Sequence, residues 1–112
     1  MGQYFVIVNE EKEELLHPYK LGSWSKFWEM CANKSPFAVL GYLLFRSSDR
    51  SIAGKNGGEM LGRWAGDRIV TVGDYDDSGL YQHASDNFKD ISDPVREEFN
   101  KFMEDKDLFI NP

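Results

Sequence analysis

One cysteine in 112 residues, Cys31, excludes an intramolecular disulfide and an all-cysteine zinc site. It also points to a reducing compartment. Histidine is almost as scarce, and no spacing of His17 and His83 resembles a zinc motif. A Cys31–His pair is the simplest nucleophile scheme these residues allow. Cys31, however, falls on an apolar helical stripe, where a small buried hydrophobe is the expected role. Lys and Arg never stand side by side, and the net charge is −6 with a pI of about 4.8. Such a chain repels phosphate backbones and anionic bilayers, so neither nucleic acid nor membrane is an expected partner. The longest apolar run, Pro36 to Phe45, falls well short of the roughly 20 residues that cross a bilayer. Met1-Gly2-Gln3-Tyr4 offers no basic leader, and Val6 stands where myristoylation needs Ser or Thr. The expected compartment is the cytoplasm.

Aromatics are plentiful, with three Trp, five Tyr and eight Phe, and large rings bury much area per residue. A chain of this length has room for one core, so residues 1–112 are expected to form one domain. Tyr4-Phe5-Val6-Ile7-Val8 reads as a buried strand. Asn9 to Glu13 reads as a turn, and Glu14 to His17 as the returning strand of a hairpin. Trp24, Phe27, Trp28 and Cys31 recur at i, i+3, i+4 and i+7, which predicts a helix with one apolar face. Ser35-Pro36 opens a second, nearly all-apolar helix through Phe45. Arg46 to Gly62 is rich in Ser, Gly and Asp and reads as a mobile loop. Within it, Gly54-Lys55-Asn56-Gly57-Gly58 lacks the Gly-Lys-Ser/Thr ending of a phosphate loop. Arg68 to Val72 reads as a central strand, and Gly79 to Ala84 as its partner. Asp93-Pro94 caps a last helix with Val95, Phe99, Phe102 and Met103 inward and Glu97, Glu98, Lys101 and Glu104 toward water. Leu108-Phe109-Ile110 reads as an edge strand or packed tail. The sum is an α+β fold: an antiparallel sheet with helices packed on one face.

Charge and turn residues crowd into Gly62–Tyr81, which holds two Arg, four Asp, four Gly and three aromatics around Ile69-Val70-Thr71-Val72. Asp74-Tyr75-Asp76-Asp77-Ser78-Gly79 matches half of a calcium loop, but Ser85 stands where the bidentate Glu is needed, so no metal is expected. The candidate ligand-binding residues are Arg63, Trp64, Asp67, Arg68, Asp74, Tyr75 and Tyr81. Arg63 and Arg68 suit anionic groups, and Trp64, Tyr75 and Tyr81 suit planar groups by stacking. Asp67 and Asp74 suit orienting the arginines. No catalytic residue and no cofactor is expected.

The opening Met1-Gly2-Gln3-Tyr4-Phe5, with Asn9 and Leu16-His17-Pro18, resembles a family of small uncharacterised prokaryotic and bacteriophage proteins. The blocks Trp64-Ala65-Gly66-Asp67-Arg68-Ile69-Val70 and Gly73-Asp74-Tyr75 resemble the same family. The resemblance covers about a third of the chain and implies accessory or host-defence-countering roles by association. The function expected is that of a small non-catalytic binding protein, which sequesters a small anionic, nucleotide-like ligand or occludes a host protein. Two alternatives stand beside it: a homodimer formed through a sheet edge, and a metal-dependent hydrolase working from Asp67, Asp74 and Asp76.

Overall fold

The computed structural model describes residues 3–48 and 58–103. β-branched and aromatic residues make the first strand, β1 (Phe5–Asn9), which turns into β2 (Glu14–Leu16). Asn9 closes that turn: its Oδ1 accepts the amides of Glu11 and Lys12, each at 2.9 Å. The hairpin register sets Ile7 opposite Leu16 and Asn9 opposite Glu14. β3 (Ile69–Gly73) runs antiparallel to the other side of β1, and β4 (Lys89–Asp90) runs parallel to β2, giving the order β3-β1-β2-β4. The strand after Arg68 therefore lies at the edge of the sheet and not at its centre.

Among the described residues the helices are α1 (Phe27–Asn33), α2 (Ser35–Leu43), α3 (Leu80–Asn87) and α4 (Ser92–Phe102), with a 3-10 turn at Pro18–Leu21. The fold is α+β with a mostly antiparallel sheet, as its sequence pattern predicts. Strand alternation sorts the core into two faces. Ile7 and Leu16 pack with Val39, Leu43, Trp64, Ile91 and Val95, which seats α2 and α4 on one face. Val6, Val8, Leu15 and Val72 pack with Ala84, so α3 covers the opposite face as well.

Three local expectations are corrected. Gly79–Ala84 is not a strand. Gly79, at φ 79°, enters α3, and Ser78 Oγ accepts the Leu80 amide at 3.2 Å. Leu80, Ala84 and Phe88 then share one helical face against the sheet. The stripe Trp24, Phe27, Trp28 and Cys31 does not enter the core. Trp24 and Trp28 are 70% and 67% exposed, Cys31 is exposed, and Met30 is the buried residue of α1. Glu98 does not face water alone: it accepts the Tyr42 hydroxyl at 2.7 Å and the Met60 and Leu61 amides at 2.9 and 3.2 Å. The Met60–Gly62 turn so held buries Leu61 in the core. Of the expected loop, residues 49–57 lie outside the described residues, as does Leu108-Phe109-Ile110.

Candidate functional site

The structure divides the seven candidate residues between the two ends of β3. At the Ile69 end, Arg63, Trp64 and Asp67 close over the β1–β2 hairpin. Glu14 points into the Trp64 face of the sheet and is almost wholly buried. It receives both Arg63 Nε at 3.1 Å and Nη2 at 2.5 Å, a two-pronged pair that suits the planar guanidinium. Its second partner is the indole Nε1 of Trp64 at 2.7 Å. Burial pushes the Glu14 carboxyl up, but the hydrogen bonds from Arg63 and Trp64 outweigh it and hold the group below its ordinary value. Trp64 is therefore not a stacking platform: none of it is exposed, and its one polar atom is bonded inward. Arg63 is likewise engaged by Glu14 and not turned toward a ligand.

Asp67 beside them accepts Asn9 Nδ2 at 2.8 Å and Lys12 Nζ at 2.5 Å, which hold its carboxyl ionised below the usual range. Arg68 donates its backbone amide to Glu11 at 3.1 Å and leaves its side chain exposed. This end of the strand is a structural knot of opposite charges. The pairing of Glu14 with Arg63 and Trp64 was hidden in the sequence, because the partners stand 49 and 50 residues apart.

Asp74, Tyr75 and Tyr81 belong to the other end. Six residues, five of them the strand β3, separate Asp67 from Asp74, about 20 Å at strand rise. The carboxylates of Asp67, Asp74 and Asp76 therefore do not share a site, and no group of three or more metal-ligating residues occurs among the described residues. Asp74 accepts the Tyr4 amide at 3.0 Å. Asp76 accepts the Ser78 amide at 3.1 Å and the Ser78 hydroxyl, and these two bonds hold its carboxyl below the ordinary value. Tyr75 is 61% exposed. Tyr81 lies half-buried on α3 against the Val72–Ala84 core; burial pushes its hydroxyl pKa up, and Asp74 adds to the rise.

Between this acidic turn and β3 lies a groove of about 520 Å³. Val70, Thr71, Val72 and Gly73 form its floor, Leu80, Ser78, Asp76 and Tyr75 one wall, and Glu10, Gln3 and Phe5 complete it. Gly73 is required by close approach: a Cβ there would overlap the Gln3 side chain and come within 2.8 Å of the Phe5 ring. The groove runs along a strand edge whose polar groups can be counted. Glu10 donates to the Arg68 carbonyl and Asp74 to the Tyr4 carbonyl, so the even-numbered residues of β3 bond to β1. Ile69, Thr71 and Gly73 consequently aim their N–H and C=O groups away from the sheet. Gly73 C=O accepts the Asp76 amide at 3.1 Å; the amides and carbonyls of Ile69 and Thr71 and the amide of Gly73 face the open edge.

A second, smaller hollow of about 260 Å³ lies between α2 and α4, lined by Ala38, Gly41, Tyr42, Phe45, Leu61, Phe99, Phe102 and Met103. It is almost purely apolar and carries no titratable group apart from the Tyr42 hydroxyl, which is bonded to Glu98. No described helix is long and apolar enough to cross a membrane. Compared with known protein families, curated proteins and solved structures, the chain has no significant match.

Proposed function

We propose that the protein is a non-catalytic binding module that takes up an extended segment of a partner protein along the open edge of β3. The observation that carries this reading is the row of outward groups on β3, the N–H and C=O of Ile69 and Thr71 and the N–H of Gly73, beside a groove of about 520 Å³. An added strand satisfies such a row with main-chain hydrogen bonds, and the groove reads its alternate side chains. Sheet edges that stay solitary are usually short, charged or interrupted by proline. β4 follows that habit with two residues, Lys89 and Asp90, whereas β3 offers Ile69-Val70-Thr71-Val72-Gly73 uninterrupted. Capture of a small anionic ligand fits less well, since Arg63 is tied to Glu14 and Trp64 is buried. The resemblance of the Met1–Phe5, Trp64–Val70 and Gly73–Tyr75 blocks to prokaryotic and phage proteins favours a host protein in the cytoplasm as the occluded partner.

The test is selection of binders from a random peptide library, followed by NMR mapping on the isotope-labelled protein. Selected peptides are expected to shift the amides of Ile69, Thr71 and Gly73 most. Thr71→Pro removes an outward N–H that the fold does not use, and is expected to abolish that binding. A selection that yields no binder, or binders mapping to another surface, overturns the reading.

A homodimer is the second reading, and one register favours it. Pairing β3 antiparallel to its own copy about Thr71 sets Arg68 of each chain level with Asp74 of the other. Light scattering over a concentration series decides it: a strict monomer removes this reading.

A further inference from the structure

Resting on the strand-addition reading, we infer that the segment taken up on β3 is cationic, with basic side chains at i and i+6 bracketing two apolar ones at i+2 and i+4. The groove carries carboxylates toward both ends and apolar surface between them. Glu10 stands level with Arg68 in the β1–β3 register, and Asp76 follows Gly73 at the other end. Val70 and Val72 lie between them on the same face, with Leu80 of α3 beside them. Neither Lys nor Arg is among the residues lining the groove.

A strand repeats its facing every second residue. A peptide laid along β3 therefore presents four side chains to this face, at the levels of Arg68, Val70, Val72 and Asp74. The two middle ones meet Val70, Val72 and Leu80; the outer one at the Gly73 end meets Asp74 and Asp76, and the outer one at the Ile69 end reaches Glu10 across β3, past Arg68. Because the pattern reads the same in both directions, it does not depend on whether the added strand runs parallel or antiparallel. The two ends differ in strength. Asp74, Asp76 and Asp77 cluster at the Gly73 end, and Ser78 keeps Asp76 ionised there through two hydrogen bonds. At the Ile69 end the exposed Arg68 side chain stands next to Glu10 and weakens its field. The chain's net charge of −6 steers a cationic segment toward this surface from further away.

The experiment compares two synthetic probes by NMR titration at low ionic strength: acetyl-Lys-Thr-Val-Thr-Val-Thr-Lys-amide and the same peptide with Glu in place of both Lys. The Lys peptide is expected to bind about fivefold or more tightly, the scale of two exposed ion pairs. That preference is expected to fall below about twofold in Asp76→Asn combined with Glu10→Gln, with Asp76→Asn alone removing the larger share. Equal binding of the two peptides, mapped to the Ile69, Thr71 and Gly73 amides, overturns the cationic assignment and leaves strand addition standing. If neither probe binds, the library-selected sequences decide. Enrichment of Lys or Arg six apart supports the inference, and edge binders without such enrichment overturn it. A library that yields no edge binder overturns the strand-addition reading beneath it.

Discussion

At the Ile69 end of β3 the charged side chains face one another, while at the Gly73 end they face solvent and bond only to neighbouring turns and backbone. Both groups come from one run of sequence, Gly62 to Tyr81, and both contain aspartates and aromatics. What separates them is the partner that the fold supplies. Glu14 arrives from β2 beneath Arg63 and Trp64 and engages both, burying the Trp64 indole and leaving the outer side of the Arg63 guanidinium at the surface. Among the described residues nothing of opposite charge arrives at Asp76 or Asp77, and no strand neighbours the adjoining edge of β3. A density of charge in sequence thus says little about availability. Availability is decided by which side chain from a distant strand meets it, and here that places the open surface at one end only.

The largest effect that sharpens this contrast is expected at Glu14. Glu14→Ala leaves the buried Trp64 indole without its acceptor and Arg63 without its carboxylate; because Arg63 keeps access to water, the expected cost is about 3 kcal/mol, the lower end of the range for a broken buried pair. Chemical denaturation is the check. A loss under about 1 kcal/mol makes the cluster a surface pair and erases the difference between the two ends.

Glu98→Ala comes next. It removes the acceptor shared by Tyr42, Met60 and Leu61, so it detaches the 58–61 turn from α4 at a cost of about 2–3 kcal/mol. Limited proteolysis reports the site of the damage as well as its size. Faster cleavage near Met60 with β3 amides unshifted is expected, and unchanged protection of that turn argues against the tie.

Acidification gives the third comparison, because the buried titrating groups gather away from the Asp76 turn. Burial lowers the His17 pKa from its ordinary 6.5, against the pull of Asp90, so protonation of His17 favours the unfolded chain as pH falls below that value. Glu14, ordinarily at 4.5, and Asp90, ordinarily at 3.8, are both held lower in the folded state, Asp90 by Lys20 and Ser92 in spite of its burial. Their contributions are present above those ordinary values and are lost as pH falls through the folded ones. All three signs agree: the melting temperature is expected to decline gently from pH 7 to 5 and steeply below about 4.5. His17→Gln is expected to flatten the upper part of that profile. A melting temperature unchanged between pH 7 and 4 removes these groups as the cause.

Much of this arrangement is legible in the sequence where the signal is local. The hairpin, α2, β3 and α4 follow from β-branched runs, proline placement and apolar spacing. Ser78 ahead of Leu80, Ala84 and Phe88 is also a helix signature, masked by the turn-like Asp-Asp-Ser-Gly before it. The exposed face of α1 shows the limit of periodicity. Spacing marks Trp24, Phe27, Trp28 and Cys31 as one stripe but does not say what lies opposite, and among the described residues only Phe27 finds a ring, Phe5 at 5.5 Å. The site was least legible. Which of Arg63, Trp64, Asp67 and Asp74 stay open depends on Glu14, Asn9 and Lys12, which meet them only through sheet register. The open edge of β3 is a property of strand order, which no single segment encodes.

The smallest effects are expected at the open end, and their smallness is what gives them value. Tyr75 is mostly exposed, and among the described residues the Asp76 carboxylate bonds only to Ser78, two residues away. Tyr75→Ala and Asp76→Asn are therefore expected to change folding stability by no more than about 0.5 kcal/mol, the usual range for surface positions without special contacts. Thermal melts of both variants beside Glu14→Ala measure the asymmetry directly, because all three positions border the same sheet. If the edge variants melt like the parent while Asp76→Asn weakens capture of a Lys-bearing peptide, charge at this end serves recognition and not folding. A fall approaching that of Glu14→Ala would make the acidic turn a second structural cluster, and the two ends of β3 would no longer differ in kind.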